Sequence, residues 1–115
     1  MRWALKESQR WTKDYRHYEK KHPMELAAVM SNLDRYMEAL NTTSHHRLIQ
    51  AGYLHNEPSG VIAIDQKGGG GNLQATRLYT YAYLKDKSLY LITIGSKREQ
   101  QDDIKYCKEF VKNLG

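Results

Sequence analysis

The sequence predicts an α+β fold: an N-terminal helical hairpin packed on a small, mainly antiparallel sheet, followed by a C-terminal helix. Apolar residues recur every three or four positions in 11–40 and again in 104–114, whereas the residues of 76–84 alternate between two faces in the manner of a strand. The 115 residues suit a single domain spanning 1–115. No stretch approaches the roughly 18 consecutive apolar residues of a membrane-spanning helix, so we expect no membrane partner.

The first half of the chain predicts a short strand and two helices. Residues 2–7 alternate loosely, which is consistent with a strand, and Ser8 could then cap a helix. Aromatic residues follow at helical spacing, at Trp11, Tyr15 and Tyr18. Pro23 ends this helix and opens a second one, because the residue before proline avoids the helical region and the first helical turn needs no N–H there. The second helix carries an apolar stripe of Leu26, Met30, Leu33, Met37 and Leu40, and the polar residues 41–44 end it.

The second half predicts three strands and a last helix. Residues 61–64 form a β-branched run, and a glycine-rich connection at 68–72 leads to the alternating segment 76–84. The turn Lys85-Asp86-Lys87 joins this segment to a strand over 88–94, which predicts an antiparallel hairpin ended by Gly95. The last helix carries Ile104, Cys107, Val111 and Leu114 on one face.

The charge is positive and unevenly distributed. The net charge is +5, and segments 1–22 and 76–98 each carry +4. Two basic segments on a small domain favour a polyanionic partner such as nucleic acid, although a solvated basic surface is the alternative. Nine tyrosines add aromatic surface that can stack on unpaired bases.

The sequence favours a reducing compartment. The N-terminus has no apolar segment of the kind found in secretory signals. Cys107 is the single cysteine and cannot form an internal disulfide. We therefore expect a cytoplasmic protein.

Three basic side chains are expected to meet at one end of the sheet. In an antiparallel hairpin that turns at 85–87, positions 77 and 95 lie almost opposite each other. Arg77, Lys97 and Arg98 should therefore cluster, and such a cluster suits a phosphate group. The alternative is a solvated charged rim.

Other residues are candidates for RNA binding or proton transfer. Tyr79, Tyr81 and Tyr83 share one face of a strand and, with Lys85 in the following turn, would form a stacking surface if that face is open; the alternative is packing. The glycine run lacks the Gly-Lys-Ser/Thr of a phosphate loop, although Lys67 stands at its edge. His55 could exchange a proton near neutral pH or be an exposed loop residue. His45, His46 and His55 form no closed metal set with the distant Cys107, so no metal or other cofactor is expected.

Residues 77–99, RLYTYAYLKDKSLYLITIGSKRE, resemble the C-terminal hairpin of the RelE/ParE/HigB superfamily of toxins. Three further segments are similar to the helical hairpin, the following loop and strand, and the terminal helix of that family: TKDYRHYEKKHP, GYLHNEPSGVIAID and QQDDIKYCKEFVKNL. The resemblance implies a RelE-like fold and a toxin that a cognate antitoxin protein neutralises.

The resemblance also implies an activity. RelE- and HigB-like members cut mRNA in the ribosomal A site without a metal, whereas ParE-like members poison gyrase; a non-enzymatic RNA- or protein-binding domain of the same fold is a third interpretation. Arg77 matches the arginine that opens the family's strand, and Lys97 with Arg98 matches the basic pair after its glycine. His55 resembles the loop histidine of HigB-like members. The strand lysines of RelE-like members are absent from 61–65, and Lys67 is the nearest substitute.

Overall fold

A five-stranded sheet carries three helices in the computed structural model, which describes residues 2–43 and 45–115. The helices are α1 (Trp11–Lys21), α2 (Pro23–Thr42) and α3 (Gln100–Leu114). The strands are β1 (Ala4–Glu7), β2 (Leu54–Asn56), β3 (Ile62–Asp65), β4 (Thr76–Tyr83) and β5 (Ser88–Ser96). Single 3₁₀ turns lie at His46–Leu48, Pro58–Gly60 and Lys97–Glu99. The α+β class and the N-terminal helical hairpin are as predicted.

The sheet is mixed, with strand order β1-β5-β4-β3-β2. The N-terminal strand β1 pairs in parallel with β5, while every other neighbouring pair is antiparallel. The predicted β4–β5 hairpin forms, and Arg77 pairs with Gly95. Asp65 pairs with Arg77 on the other side of β4, so three strands place these residues side by side at one end of the sheet.

A single residue separates the two N-terminal helices. His22 leaves the helical region, with φ −139° and ψ 58°, and Pro23 is the first residue of α2. The His22 N–H donates to the Tyr18 carbonyl, and the His22 carbonyl accepts from the Leu26 N–H. The two helices therefore share one capping residue, which confirms the predicted hinge at the proline.

The helices cover opposite faces of the sheet. On the first face, α1 and α2 pack on alternate strand residues, including Ile64, Leu78 and Leu89. On the second face, which we call the α3 face, Cys107 of α3 packs against Ala63, Tyr79 and Ile92. The period of two along each strand separates the two apolar cores.

Several boundaries differ from those predicted. Ser8 is not the cap residue of α1, which begins at Trp11 with Arg10 at the cap position; the Ser8 hydroxyl accepts the Arg10 N–H at 3.2 Å and donates to the Ile92 carbonyl. Gly95 does not end β5, which continues to Ser96. The short strand β2 was not predicted. Helix α2 continues to Thr42, and Ser44 of the predicted turn lies outside the described residues.

No helix in the described part of the chain is both long enough and apolar enough to cross a membrane.

Candidate active site

A histidine and an aspartate form a hydrogen-bonded pair on the α3 face. His55 of β2 pairs in register with Ala63 of β3, two residues before Asp65. Its Nε2 lies 2.6 Å from Oδ2 of Asp65. The His55 side chain is 28% exposed and that of Asp65 is 9% exposed. Because a carboxylate only accepts hydrogen bonds, the neutral imidazole carries its proton on Nε2 and presents an unprotonated Nδ1.

The position of Asp65 is fixed from several directions. Its Oδ1 accepts the Lys67 N–H at 2.8 Å, and its own N–H donates to the Tyr53 carbonyl at 2.9 Å. Its carbonyl accepts the side-chain amide of Asn32, a buried residue of α2, at 2.9 Å. A carboxylate held in this way orients the imidazole before any substrate arrives.

An arginine and a glutamate lie beside this pair. Arg77 Nη1 donates to Glu57 Oε2 at 2.8 Å, and the side chains of Arg77 and Glu57 are 31% and 10% exposed. The charge of Arg77 is therefore already balanced by a nearly buried carboxylate. The sequence analysis did not anticipate this carboxylate, which Glu57 brings back to the sheet on the segment after β2.

A small cavity joins Arg77 to the start of α3. It has a volume of about 180 Å³ and is lined by Ala75, Arg77, Tyr79, Ser96, Lys97 and Gln100. Lys97 is exposed at the first position of its 3₁₀ turn. The structure thus brings Arg77 and Lys97 together, as the hairpin register predicted.

The remaining basic candidates are distributed more widely. Arg98 is exposed in the same turn as Lys97 but does not line the cavity. Lys67 follows β3 beside Asp65, and its ammonium group donates to the Gly52 carbonyl at 3.2 Å. Lys85 is exposed in the β4–β5 turn, at the opposite end of the hairpin from Arg77.

The predicted tyrosine face is only partly open. Tyr79 has no exposed surface and packs beneath α3, so it cannot stack on a base, and burial raises the pKa of its hydroxyl. Tyr81 and Tyr83 are half-buried, with ring centroids 6.5 Å apart. Packing therefore accounts for Tyr79, whereas Tyr81 and Tyr83 retain accessible edges.

Asp65 and Glu57 are the residues that sequence reasoning missed. The predicted strand ended one residue before Asp65, and β2 was not predicted, so nothing placed His55 against β3. The hairpin register already put position 77 at this end of the sheet. A strand extended by one residue would have brought Asp65 next to Arg77.

No family model, curated protein or solved structure matches this chain. Within residues 2–43 and 45–115, no group of three or more His, Cys, Asp or Glu side chains is arranged to hold a metal ion.

Proposed function

We propose that this chain is a metal-independent endoribonuclease that cuts mRNA on the ribosome and acts as the toxin of a type II toxin–antitoxin system. The observation that carries the proposal is the 2.6 Å contact between His55 Nε2 and Asp65 Oδ2 on the sheet face that also holds Arg77. The resemblance of residues 77–99 to the RelE/ParE/HigB hairpin supplies the substrate class.

In the proposed reaction, His55 acts as the general base. Its Nδ1 takes the proton of a ribose 2′-hydroxyl, and the 2′-oxygen forms a bond to the neighbouring phosphorus while the bond from phosphorus to the 5′-oxygen breaks. The products are a 2′,3′-cyclic phosphate and a free 5′-hydroxyl. Asp65 accepts the Nε2–H throughout, which favours the imidazolium that forms.

The two basic groups of the small cavity serve the phosphate. Arg77 has five N–H donors, and Glu57 accepts from Nη1, so other donors remain for a phosphate oxygen. Placed cations of this kind stabilise the charge that develops on phosphorus. We assign to Lys97, which lines the same cavity, the return of a proton to the departing 5′-oxygen.

The test combines 5′-end mapping with variants. Induced expression of the wild-type chain should arrest growth and produce cuts at in-frame codon positions. With purified protein and ribosomes in a magnesium-containing buffer, His55→Ala should lower the cleavage rate roughly 10²-fold, the usual contribution of a general acid or base. His17→Ala, which removes an exposed histidine of α1, is the matched control and should retain the wild-type rate.

Two results would contradict the proposal: an absence of cuts in cells and on purified ribosomes, or a His55→Ala rate within a few-fold of wild type. Co-expression with a small neighbouring reading frame tests the toxin role separately, because a cognate antitoxin should form a stable complex and restore growth.

One observation favours a second candidate function, a non-enzymatic RNA-binding domain of the same fold. The Glu57 carboxylate offsets the charge of Arg77 that cleavage would need, whereas the exposed Lys97 and Arg98 can still bind a phosphate backbone. RNA binding that is retained in both wild type and His55→Ala, with no cleavage by either, would support this alternative.

A further inference from the structure

A second cavity of the described chain is separate from the candidate active site. It is a groove of about 670 Å³ between the segment 46–51, the β2–β3 hairpin and the far end of β4. It shares no lining residue with the 180 Å³ cavity beside Arg77, and none of its lining residues takes part in the His55–Asp65 or Arg77–Glu57 pairs. A volume of this size is typical of small-molecule sites.

The groove has both apolar and polar walls. Ile49, Leu54 and Ile62 line it and pack against the core beneath α2. Tyr36 of α2 also lines it, although the residue is only 2% exposed. Burial, with a smaller contribution from Tyr53, raises the pKa of Tyr36 to about 12, so the hydroxyl stays protonated near neutral pH. Tyr36 therefore brings a hydroxyl donor to the lining of the groove.

The rim of the groove is polar and basic. Arg47 is exposed at the mouth, and the amide side chains of Gln50 and Asn56 lie nearby. Burial, with a smaller contribution from Arg47, lowers the pKa of His46, so the neutral imidazole predominates at pH 7. The described residues that line the groove include no Asp or Glu. The rim therefore attracts an anion and can also form neutral hydrogen bonds.

These features define the chemistry of the ligand. A flat body fits between the aliphatic walls, a polar edge is needed to pair with the Tyr36 hydroxyl, and an anionic group suits Arg47. An aliphatic carboxylate would satisfy the walls and Arg47 but would offer no extended polar edge to the Tyr36 hydroxyl. A heteroaromatic base that carries a phosphate satisfies all three requirements.

We propose that this groove binds a single nucleotide, with the base between the aliphatic walls, the base edge on Tyr36 and the phosphate at Arg47. Tyr81, which lines the groove from the end of β4, adds an aromatic surface for stacking. The nucleotide is either a free mononucleotide or an unpaired residue of an RNA strand, and both offer the same chemistry. The inference does not depend on cleavage at His55.

The test is a titration of the full chain with AMP, GMP, CMP and UMP, followed by NMR of the isoleucine and leucine methyl groups. At least one nucleotide should shift the methyl signals of Ile49, Leu54 and Ile62. Arg47→Ala should weaken binding of that monophosphate about tenfold and leave binding of its nucleoside unchanged. Arg16→Ala, which removes an exposed arginine of α1, is the matched control and should bind like wild type.

Tyr36→Phe keeps the buried ring and removes only the hydroxyl. It should weaken both the monophosphate and the nucleoside by about five- to tenfold, the loss expected for one hydrogen bond. Unfolding of each variant in urea checks that the fold is retained. An Arg47→Lys variant that restores monophosphate binding would show that the charge, rather than the shape, is needed.

The source of the nucleotide is distinguished in the His55→Ala background, in which RNA should stay intact. A five-nucleotide RNA that shifts the same methyl signals and binds more than tenfold more tightly than any mononucleotide identifies RNA, whereas tighter binding of a mononucleotide identifies a free nucleotide. The proposal is overturned if no nucleotide at about 10 mM moves these methyl signals, if decanoate binds as tightly and is unaffected by Tyr36→Phe, or if Arg47→Ala behaves like Arg16→Ala.

Discussion

At the scale of single residues, position 95 requires a glycine because another side chain approaches its backbone closely, and not because the chain turns there. It lies within β5, and a Cβ added to it would fall 2.0 Å from Oδ2 of Asp103, a side chain of α3 that is 1% exposed. This Oδ2 has no hydrogen-bond partner among the described residues, while Oδ1 accepts from Arg10 Nη2 at 3.1 Å. The absent side chain of Gly95 therefore makes room for a buried carboxylate.

Gly95→Ala should destabilise the chain. The added methyl group cannot fit unless the first turn of α3 moves, and overpacking of this kind costs roughly 1–3 kcal/mol of the free energy of unfolding. Gly52→Ala is the matched control, because nothing lies within 4 Å of the added Cβ. Urea unfolding monitored by tryptophan fluorescence compares the two variants. Equal free energies of unfolding for the two variants would show that α3 can shift to accommodate the added methyl group without loss of stability.

At the scale of elements, β5 has a bulge in its pairing with β4, close to the end of β1. The β4–β5 register shifts between Tyr79 and Thr80, so that Thr80 pairs with Leu91 and Ile92 has no partner in β4. The Ser8 hydroxyl donates to the Ile92 carbonyl at 2.6 Å, and the Ser8 N–H donates to the Leu91 carbonyl at 3.0 Å. Ser8 thus satisfies backbone groups at the point where the sheet is irregular.

Ser8→Ala should cost about 1–3 kcal/mol of the free energy of unfolding, because a buried carbonyl loses its hydroxyl donor. Ser31→Ala, an exposed substitution in α2, should be neutral or slightly stabilising, since alanine has the higher helix propensity. Urea midpoints of both variants, measured with an unchanged denaturant slope, make the comparison. A Ser8→Ala midpoint equal to that of Ser31→Ala would show that the hydrogen bond from the Ser8 hydroxyl does not stabilise the fold.

The elements that could be predicted are those with a long periodic pattern. Helix α2 and the β4–β5 hairpin both carry such a pattern, and the short turn then fixed Arg77 opposite Gly95. The three-residue strand β2 is too short to show alternation, and it exists because β3 offers it an edge. Asp65 and Glu57 were missed for the same reason, since their contacts depend on tertiary pairing rather than on local sequence.

At the scale of the whole molecule, one arginine connects the two helical layers. Arg10 precedes α1, and its guanidinium contacts Asp14 of α1 and Asp103 of α3, both at 3.1 Å. It also lies 4.9 Å from the ring centroid of Tyr106. These contacts of Arg10, which form the junction between the two helical layers, lie at the edge of β5. They are beyond the last residue of β5 that pairs with β1. The layers on opposite faces of the sheet are therefore coupled through Asp103.

This coupling gives the folded chain an unusual dependence on pH. Burial raises the pKa of Asp103 from its ordinary 3.8 to about 6, and the nearby Arg10 charge only partly opposes this. The folded chain therefore holds the proton more tightly than the unfolded chain. The stabilising contribution is complete below about pH 4 and is lost as the pH rises to 6, a difference of about 3 kcal/mol in the free energy of unfolding.

Asp103→Asn removes this titration and isolates the effect. The variant should gain stability relative to wild type by up to about 3 kcal/mol between pH 4 and pH 7, because only the wild type must bury a charge at the higher pH. Asp102→Asn changes the exposed neighbour in the same turn of α3 and should show a nearly constant difference from wild type. Urea unfolding of the three proteins across this range gives the measurement. If the difference between Asp103→Asn and wild type is also constant, the carboxyl has the same pKa in the folded and the unfolded chain, and the Arg10 charge offsets the effect of burial in full.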